Sequence, residues 1–429
     1  VGDRCSPKNH NYEGDALKVF SQLEPHLRRS LLTLFVAGLL FWSSIAALLP
    51  TLPLYIQSVG GNSQQIGVVM GSFAIGLLLF RPMLGRMADD RSRKLVLLIG
   101  IAVVAIAPLG YVFITSIPLL MVLRAFHGIS VAAFTTGFSA LVADLSPPSQ
   151  RGELIGYMSL VNPLGVAIGP ALGGFIQAGY GYSPLFITSF ALGMVGLFCA
   201  TQITEVKREP KDSHPSVSPQ QQPSFWGLLL TDRLRIPFVV MLMIGLVFGI
   251  ISTFIPLFIQ ESKIDLNSGL FYSTAAVSSF SVRLVTGRAS DRYGRGLFIT
   301  ASLVCYMIAM IVLGFAHSPN SVLVAAAIEG AGAGTLIPMM VALMADRSLV
   351  KERGQVFSLC IGGFDIGIAL AGPILGSFAD LLGYRTLFAI AAGLAITALI
   401  VFLTLSSKDL RHSFKFALGR EKDIYALSE

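Results

Sequence analysis

Apolar residues come in long blocks separated by short polar turns, from about residue 30 almost to the end of the chain. The blocks fall near 31–58, 63–84, 95–114, 117–143, 153–178, 183–203, 234–260, 267–287, 297–316, 320–344, 355–379 and 384–406. Each is close to the roughly 20 residues that an α-helix needs to cross a hydrocarbon core. The pattern predicts an all-α membrane protein with about twelve transmembrane helices. One connection is long. From Glu205 to Asp232 the chain carries Lys207, Arg208, Lys211, repeated Pro and Ser, and Gln220-Gln221-Gln222. That composition reads as a flexible polar linker. It divides the chain into an N-terminal segment (1–29), a six-helix half (30–204), the linker (205–232), a second six-helix half (233–406) and a tail (407–429).

Composition agrees. Hydrophobic residues make up 54% of the chain and charged residues 13%, against about 25% charged in a soluble domain. The surplus apolar surface must face lipid. The net charge of +7 would point to nucleic acid in a soluble protein, but here the placement of the basic residues explains it. One set of loops holds Arg86, Arg91, Arg93 and Lys94, then Arg151, the linker, Arg288, Arg292 and Arg295, and Arg347, Lys351 and Arg353. Arg28, Arg29 and the tail's Lys408, Arg411, Lys415, Arg420 and Lys422 fall on the same side. The opposite loops hold only Lys263 and Arg385. This bias predicts that both termini and the linker are cytoplasmic, and no nucleic-acid partner is expected. Cys5, Cys199, Cys305 and Cys360 show no paired spacing, so neither a disulfide framework nor a metal site is expected. The polar opening stretch predicts no secretory signal peptide, and the missing initiator Met reads as a trimmed chain.

The halves repeat each other at a spacing of roughly 202 residues, the mark of a duplicated unit. Arg81-x-x-x-Gly85-Arg86-x-x-Asp89-x-x-x-Arg93 recurs as Arg283-x-x-x-Gly287-Arg288-x-x-Asp291-x-x-x-Arg295. Ala143-Asp144 with Arg151-Gly152 recurs as Ala345-Asp346 with Arg353-Gly354. Pro53-Leu54-Tyr55-Ile56-Gln57 recurs as Pro256-Leu257-Phe258-Ile259-Gln260, and Gly169-Pro170 with Gly173 as Gly372-Pro373 with Gly376.

These residues resemble the major facilitator superfamily over nearly all of 30–406. The stretch Gly85-Arg86-Met87-Ala88-Asp89-Asp90-Arg91-Ser92-Arg93-Lys94 is similar to the superfamily's signature cytoplasmic loop, with Ser92 where Gly is usual and Gly294 kept in the second copy. Arg124-Ala125-Phe126-His127-Gly128 resembles an Arg-x-x-x-Gly motif of the fourth helix. Gly165-Val166-Ala167-Ile168-Gly169-Pro170-Ala171-Leu172-Gly173-Gly174 in the fifth helix resembles the antiporter motif of drug:proton antiporters. The resemblance implies the major facilitator fold, with two pseudo-symmetric six-helix halves. It implies export, alternating access, a bacterial cytoplasmic membrane and a monomer without cofactor. It also implies a cytoplasmic gate of Gly85, Asp89, Arg93, Asp291 and Arg295, in which Asp89 meets the positive N-terminus of the eleventh helix near Gly354. Gly165, Gly169 and Gly173 form a smooth face for close helix approach, and Pro170 should bend the helix; Gly174 completes this hinge candidate. The competing reading is plain helix packing. Gly330-Ala331-Gly332-Ala333-Gly334 lies inside an apolar run with no preceding strand, so a phosphate-binding loop is excluded, and no HExxH, GxSxG or Walker A pattern supports an enzyme.

Charges inside apolar runs cost several kcal/mol and mark functional candidates. Glu329 lies roughly 13 Å along the tenth helix and Asp365 roughly 16 Å along the eleventh. Arg124 stands in the fourth, with His127 one turn away on the same face. Glu329, Asp365 and His127 are the candidate proton-coupling groups. Arg124, Asn162 and Trp42 are the candidate substrate contacts. Arg81 and Arg283 sit near helix ends and read as structural, with side chains reaching the interface. The alternative is a fixed ion pair of Arg124 with Glu329 or Asp365. The expected function is proton-coupled export of amphipathic or lipophilic small molecules. The rivals are uptake of a sugar, organic anion or other nutrient, which Arg124 would suit, and a receptor or scaffold without transport.

Overall fold

The computed structural model describes residues 23–147, 150–204, 225–229, 231–349 and 352–427. Among the described residues sixteen helices follow one another: α1 (Pro25–Ala47), α2 (Leu52–Ser58), α3 (Ser63–Asp90), α4 (Arg93–Phe113), α5 (Ile117–Leu145), α6 (Arg151–Met158), α7 (Val161–Tyr180) and α8 (Tyr182–Thr201) precede the linker. After it come α9 (Phe225–Leu229), α10 (Asp232–Glu261), α11 (Ser268–Tyr293), α12 (Arg295–Gly314), α13 (Pro319–Asp346), α14 (Arg353–Leu382), α15 (Tyr384–Leu405) and α16 (Leu410–Ala417). Among the described residues no strand occurs. Most of the linker, with Ser213 and Cys5 of the N-terminal segment, lies outside the described residues.

The predicted spans appear with two refinements. Among the described residues, eleven segments are long and apolar enough to cross a membrane. The twelfth, α11, has 26 residues but carries Ser273, Ser278, Ser279, Ser281 and Arg283 along its length, so it is more polar than the rest. Spans one and five are each two helices. The first breaks at Leu48–Thr51, between α1 and α2, and the fifth at Ser159–Leu160, between α6 and α7. Their counterparts after the duplication, α10 and α14, run unbroken through Pro256 and Pro373. Pro170 likewise lies inside a continuous α7.

Local chemistry sets the ends. Asn62 and Gln65 form a capping box on α3: Asn62 Oδ1 accepts from Gln65 N at 2.8 Å, and Gln65 Oε1 accepts from Asn62 N at 3.1 Å, satisfying two otherwise unpaired helix donors. The two signature loops turn differently. Gly294 takes φ +87° between α11 and α12, a conformation suited to glycine. At the matching place Ser92 has φ −162° and caps α4 by accepting from Leu95 N at 3.0 Å. On the other side of the bundle, Arg385 closes α12 by donating to Gly314 O and Ala316 O, both at 2.7 Å. That explains a cation among otherwise charge-poor loops.

Large apolar side chains such as Leu79, Phe113, Phe198, Val285 and Leu381 point outward, as a bundle in lipid requires. The tail is part of the second half. Helix α16 packs on α12 and α15, and the chain then returns so that Leu427 N donates to Asp346 O at 2.9 Å.

Candidate functional site

One cavity of about 420 Å³ lies between the halves. Trp42 of α1, Arg124 of α5, Asn162 of α7, Glu329 of α13 and Asp365 of α14 all line it. The structure thus brings together five of the six residues singled out as coupling or substrate candidates. Phe73, Phe248, Phe271, Tyr272, Tyr306 and Phe364 supply aromatic walls. His127 is fully buried and stands behind Arg124, with Arg124 Nη1 at 3.5 Å and the Tyr111 hydroxyl at 3.3 Å from its Nδ1. A guanidinium only donates, so it can hold Nδ1 as an acceptor and leave the proton on Nε2.

Arg124 is 5% exposed and Glu329 3%. The Arg124 guanidinium lies over the Phe73 ring, 4.4 Å from its centroid, a favourable cation–π placement. Arg124 Nε, His127 Nε2 and Glu329 Oε1 have no hydrogen-bond partner among the described residues. Glu329 is near the Tyr272 and Tyr306 hydroxyls. Unpartnered polar atoms around a mostly apolar cavity are what a binding site with few orienting groups presents to its ligand.

Among the described residues Arg124 forms no ion pair with Glu329 or Asp365, the fixed pair weighed for it. Asp365 instead accepts from Arg81 Nη1 at 3.0 Å, from α3 of the other half. Arg81 is therefore no simple helix-end charge, because its side chain crosses between the halves. Its repeat, Arg283, donates from Nε to Gly334 O at 3.1 Å within its own half.

The halves touch closely on the side away from the linker and part toward it. Gly67 and Gly71 of α3 interlock with Gly372 and Ala369 of α14, and a Cβ on Gly67 or Gly372 would strike the partner's backbone. Asp380, near the end of α14, accepts from Ser63 N at 3.0 Å and Gln64 N at 3.3 Å at the start of α3, a carboxylate on a helix's positive end. On the second seam, Gly174 faces Asn267 and Gly269, and Gly269 faces Pro170 O. Toward the linker, a Cβ at Gly85, Gly152, Gly156 or Gly287 would meet nothing within 4 Å.

The gate candidates lie at this open end. Asp89 is exposed. Arg93 bonds within its own half, to Asp144 Oδ1 at 2.6 Å, and Arg295 repeats this with Asp346 Oδ2 at 2.9 Å. The Asp291 side chain is outside the described set. Gly165, Gly169 and Gly173 pack against Trp42, Ser43 and Ala47 of α1, in the same half. Gly174 and the Pro170 carbonyl face the other half. Sequence reasoning missed Tyr272, Tyr306, Asp380 and the crossing role of Arg81. Only Arg81 left a signal, its recurrence as Arg283.

Two related helical bundles around a central, partly polar cavity open toward one side define a membrane transporter of alternating-access architecture. The sequence profile of the Major Facilitator Superfamily matches residues 34–319 and 269–422. The chain belongs to that superfamily and is an integral membrane transporter of small molecules. It is similar to the staphylopine export protein of Staphylococcus aureus, 24% identical over 376 residues, covering 86% of this chain and 94% of that protein. It is also similar to the multidrug resistance protein MdtG of Escherichia coli, 25% identical over 386 residues, covering 86% and 92%. In fold it resembles a mutant of the nucleoside transporter NupG, with TM-score 0.78 and 14% identity over 87% of this chain and 98% of that one. The human organic anion transporter MFSD10 follows the same fold, with TM-score 0.63 and 19% identity over 88% and 100%.

Proposed function

We propose that this transporter is a proton-coupled exporter of amphipathic or lipophilic small molecules. The linker and both termini would face the cytoplasm, and the conformation described would be the one open to the cytoplasm. The observation that carries the reading is the pair of carboxylates, Glu329 and Asp365, lining one cavity between the halves. A coupling group must ionise inside the space that opens alternately to each side. The aromatic walls suit an amphipathic body. Export is supported by the antiporter-like stretch of α7 and by similarity to the exporter and multidrug resistance proteins above. A second reading, uptake of an organic anion, is favoured by Arg124, whose guanidinium has no carboxylate partner among the described residues.

Glu329→Gln and Asp365→Asn keep shape and remove titration. In the carrier's mutant, gradient-driven accumulation should disappear while downhill movement or substrate binding persists. Melting temperature measured on the same preparations isolates a purely structural effect. If both mutants still accumulate substrate in proportion to the pH difference, neither residue carries the coupling proton.

A further inference from the structure

The duplication supplies an internal control for the Arg81–Asp365 pair. Arg81 on α3 recurs as Arg283 on α11. Asp365 stands seven residues before Gly372-Pro373, and Asn162 stands seven before Gly169-Pro170. The seam between α3 and α14 therefore carries an arginine and an acid, while the matching seam between α11 and α7 carries an arginine and an amide. Arg283 satisfies itself on Gly334 O of its own half, whereas Arg81 reaches the opposite half. Of these four side chains, only Asp365 can change its charge by taking up a proton.

We infer that Arg81 is the positioning partner that converts protonation of Asp365 into movement of α3 against α14, an inference resting on the proton-coupled reading above. Along α3, Arg81 lies between the tight contact at Gly71 and the open position at Gly85, where the two helices part. An ionised Asp365 attracts the guanidinium across that gap, and a protonated one loses the charge-assisted bond. A cross-half contact made in one state alone biases the equilibrium between states. The helices packed on α14 are α3, α9, α10, α13 and α15. Besides Arg81, α3 carries Arg86, Asp89 and Asp90 at its linker-side end. Glu329 of α13 lines the same cavity, with Asp346 at that helix's end. The charges of α10 (Asp232, Arg233, Arg235, Glu261) and the Tyr384 and Arg385 of α15 lie at helix ends, and α9 carries no titratable group. Arg81 alone is within ion-pair distance of Asp365 among the described residues.

The test is a pH titration of the distance between the linker-side ends of the halves. Spin labels at Ile155→Cys and Phe357→Cys, in a cysteine-free background without substrate, read that distance in lipid nanodiscs. In the parent protein, acidification should lower the population with the ends apart by roughly three- to tenfold. Arg81→Gln and Asp365→Asn should each abolish the pH response and hold the acid-like distribution at every pH. Asp365→Glu should keep the response, and it covers the case in which a neutral variant fails to fold. A distance distribution insensitive to pH in the parent protein overturns the inference. So does a pH response that survives Arg81→Gln. If Glu329→Gln alone removes the response, the switch belongs to Glu329 and the inference fails, while proton coupling itself stands.

Discussion

Arg347 shows how a single side chain can hide its purpose in the sequence. It reads as one more basic loop residue on the linker side, yet its side chain is fully buried, with Nε and Nη2 donating to the two carboxylate oxygens of Asp423 at 2.7 and 2.9 Å. Nη2 also reaches Ser406 O, and Nη1 reaches Arg233 O. The Phe416 and Tyr425 rings lie 5.5 and 5.2 Å from the guanidinium carbon. Leu145 holds the matching place in the first half, so the tail supplies a counter-charge that only the second half needs. Asp423→Asn should destabilise the protein by about 3–5 kcal/mol, because an uncompensated charge would stay buried. Adding Arg347→Leu should recover part of the lost melting temperature, and a double variant no more stable than Asp423→Asn contradicts this. The charges Glu329, Arg124 and Asp365 were legible because a charge inside an apolar run is visible without a structure. Asp423 was not, since its partner is fixed only by how the tail returns across the fold.

Among the helices, the apolar runs placed each span, and the duplication paired them. The breaks escaped notice. Proline is the usual signal for one, but α7, α10 and α14 continue through Pro170, Pro256 and Pro373, while the fifth span breaks at Ser159–Leu160. The glycine stripe of α7 was readable as a packing face, but its partner, α1 of the same half, was not. The antiparallel pair α3–α14 carries an acid near the C-terminal end of each helix. Asp380 occupies the start of α3 in this conformation, and Asp89 is exposed at the opposite, separated end. Asp380→Asn weakens the closed end by about 0.3–1 kcal/mol. It should raise the population with the linker-side ends together, and Asp89→Asn should lower it, both read by the same label pair. Gly372→Val should act in the first direction more strongly, because its side chain meets the Gly67 backbone. Transport by Gly372→Val at the parent rate would show that α3 and α14 need not close here.

For the whole molecule, the halves behave as two bodies joined tightly at one end around a central cavity. The fold was legible from hydropathy, the repeat and the signature loop together. The identity of the cavity wall was not, because uncharged aromatics such as Phe248 and Tyr306 look the same in an apolar run whether they face lipid, core or ligand. The sidedness proposed from the basic loops predicts that cysteines at Ser213 and Ser318 react from opposite faces with an impermeant thiol reagent. Reaction of both from outside an intact cell would contradict that reading. In the proposed mechanism, protons drive a small molecule through the Glu329–Asp365 cavity. The most direct measurement is substrate uptake by the purified protein in acid-loaded proteoliposomes, screened over lipophilic drugs, sugars and organic acids. Proton-coupled export predicts accumulation of an amphipathic compound inside the vesicles that grows with the outward proton gradient and collapses when a protonophore dissipates it. Accumulation driven only by an inward proton gradient, or transport indifferent to the gradient, would contradict it.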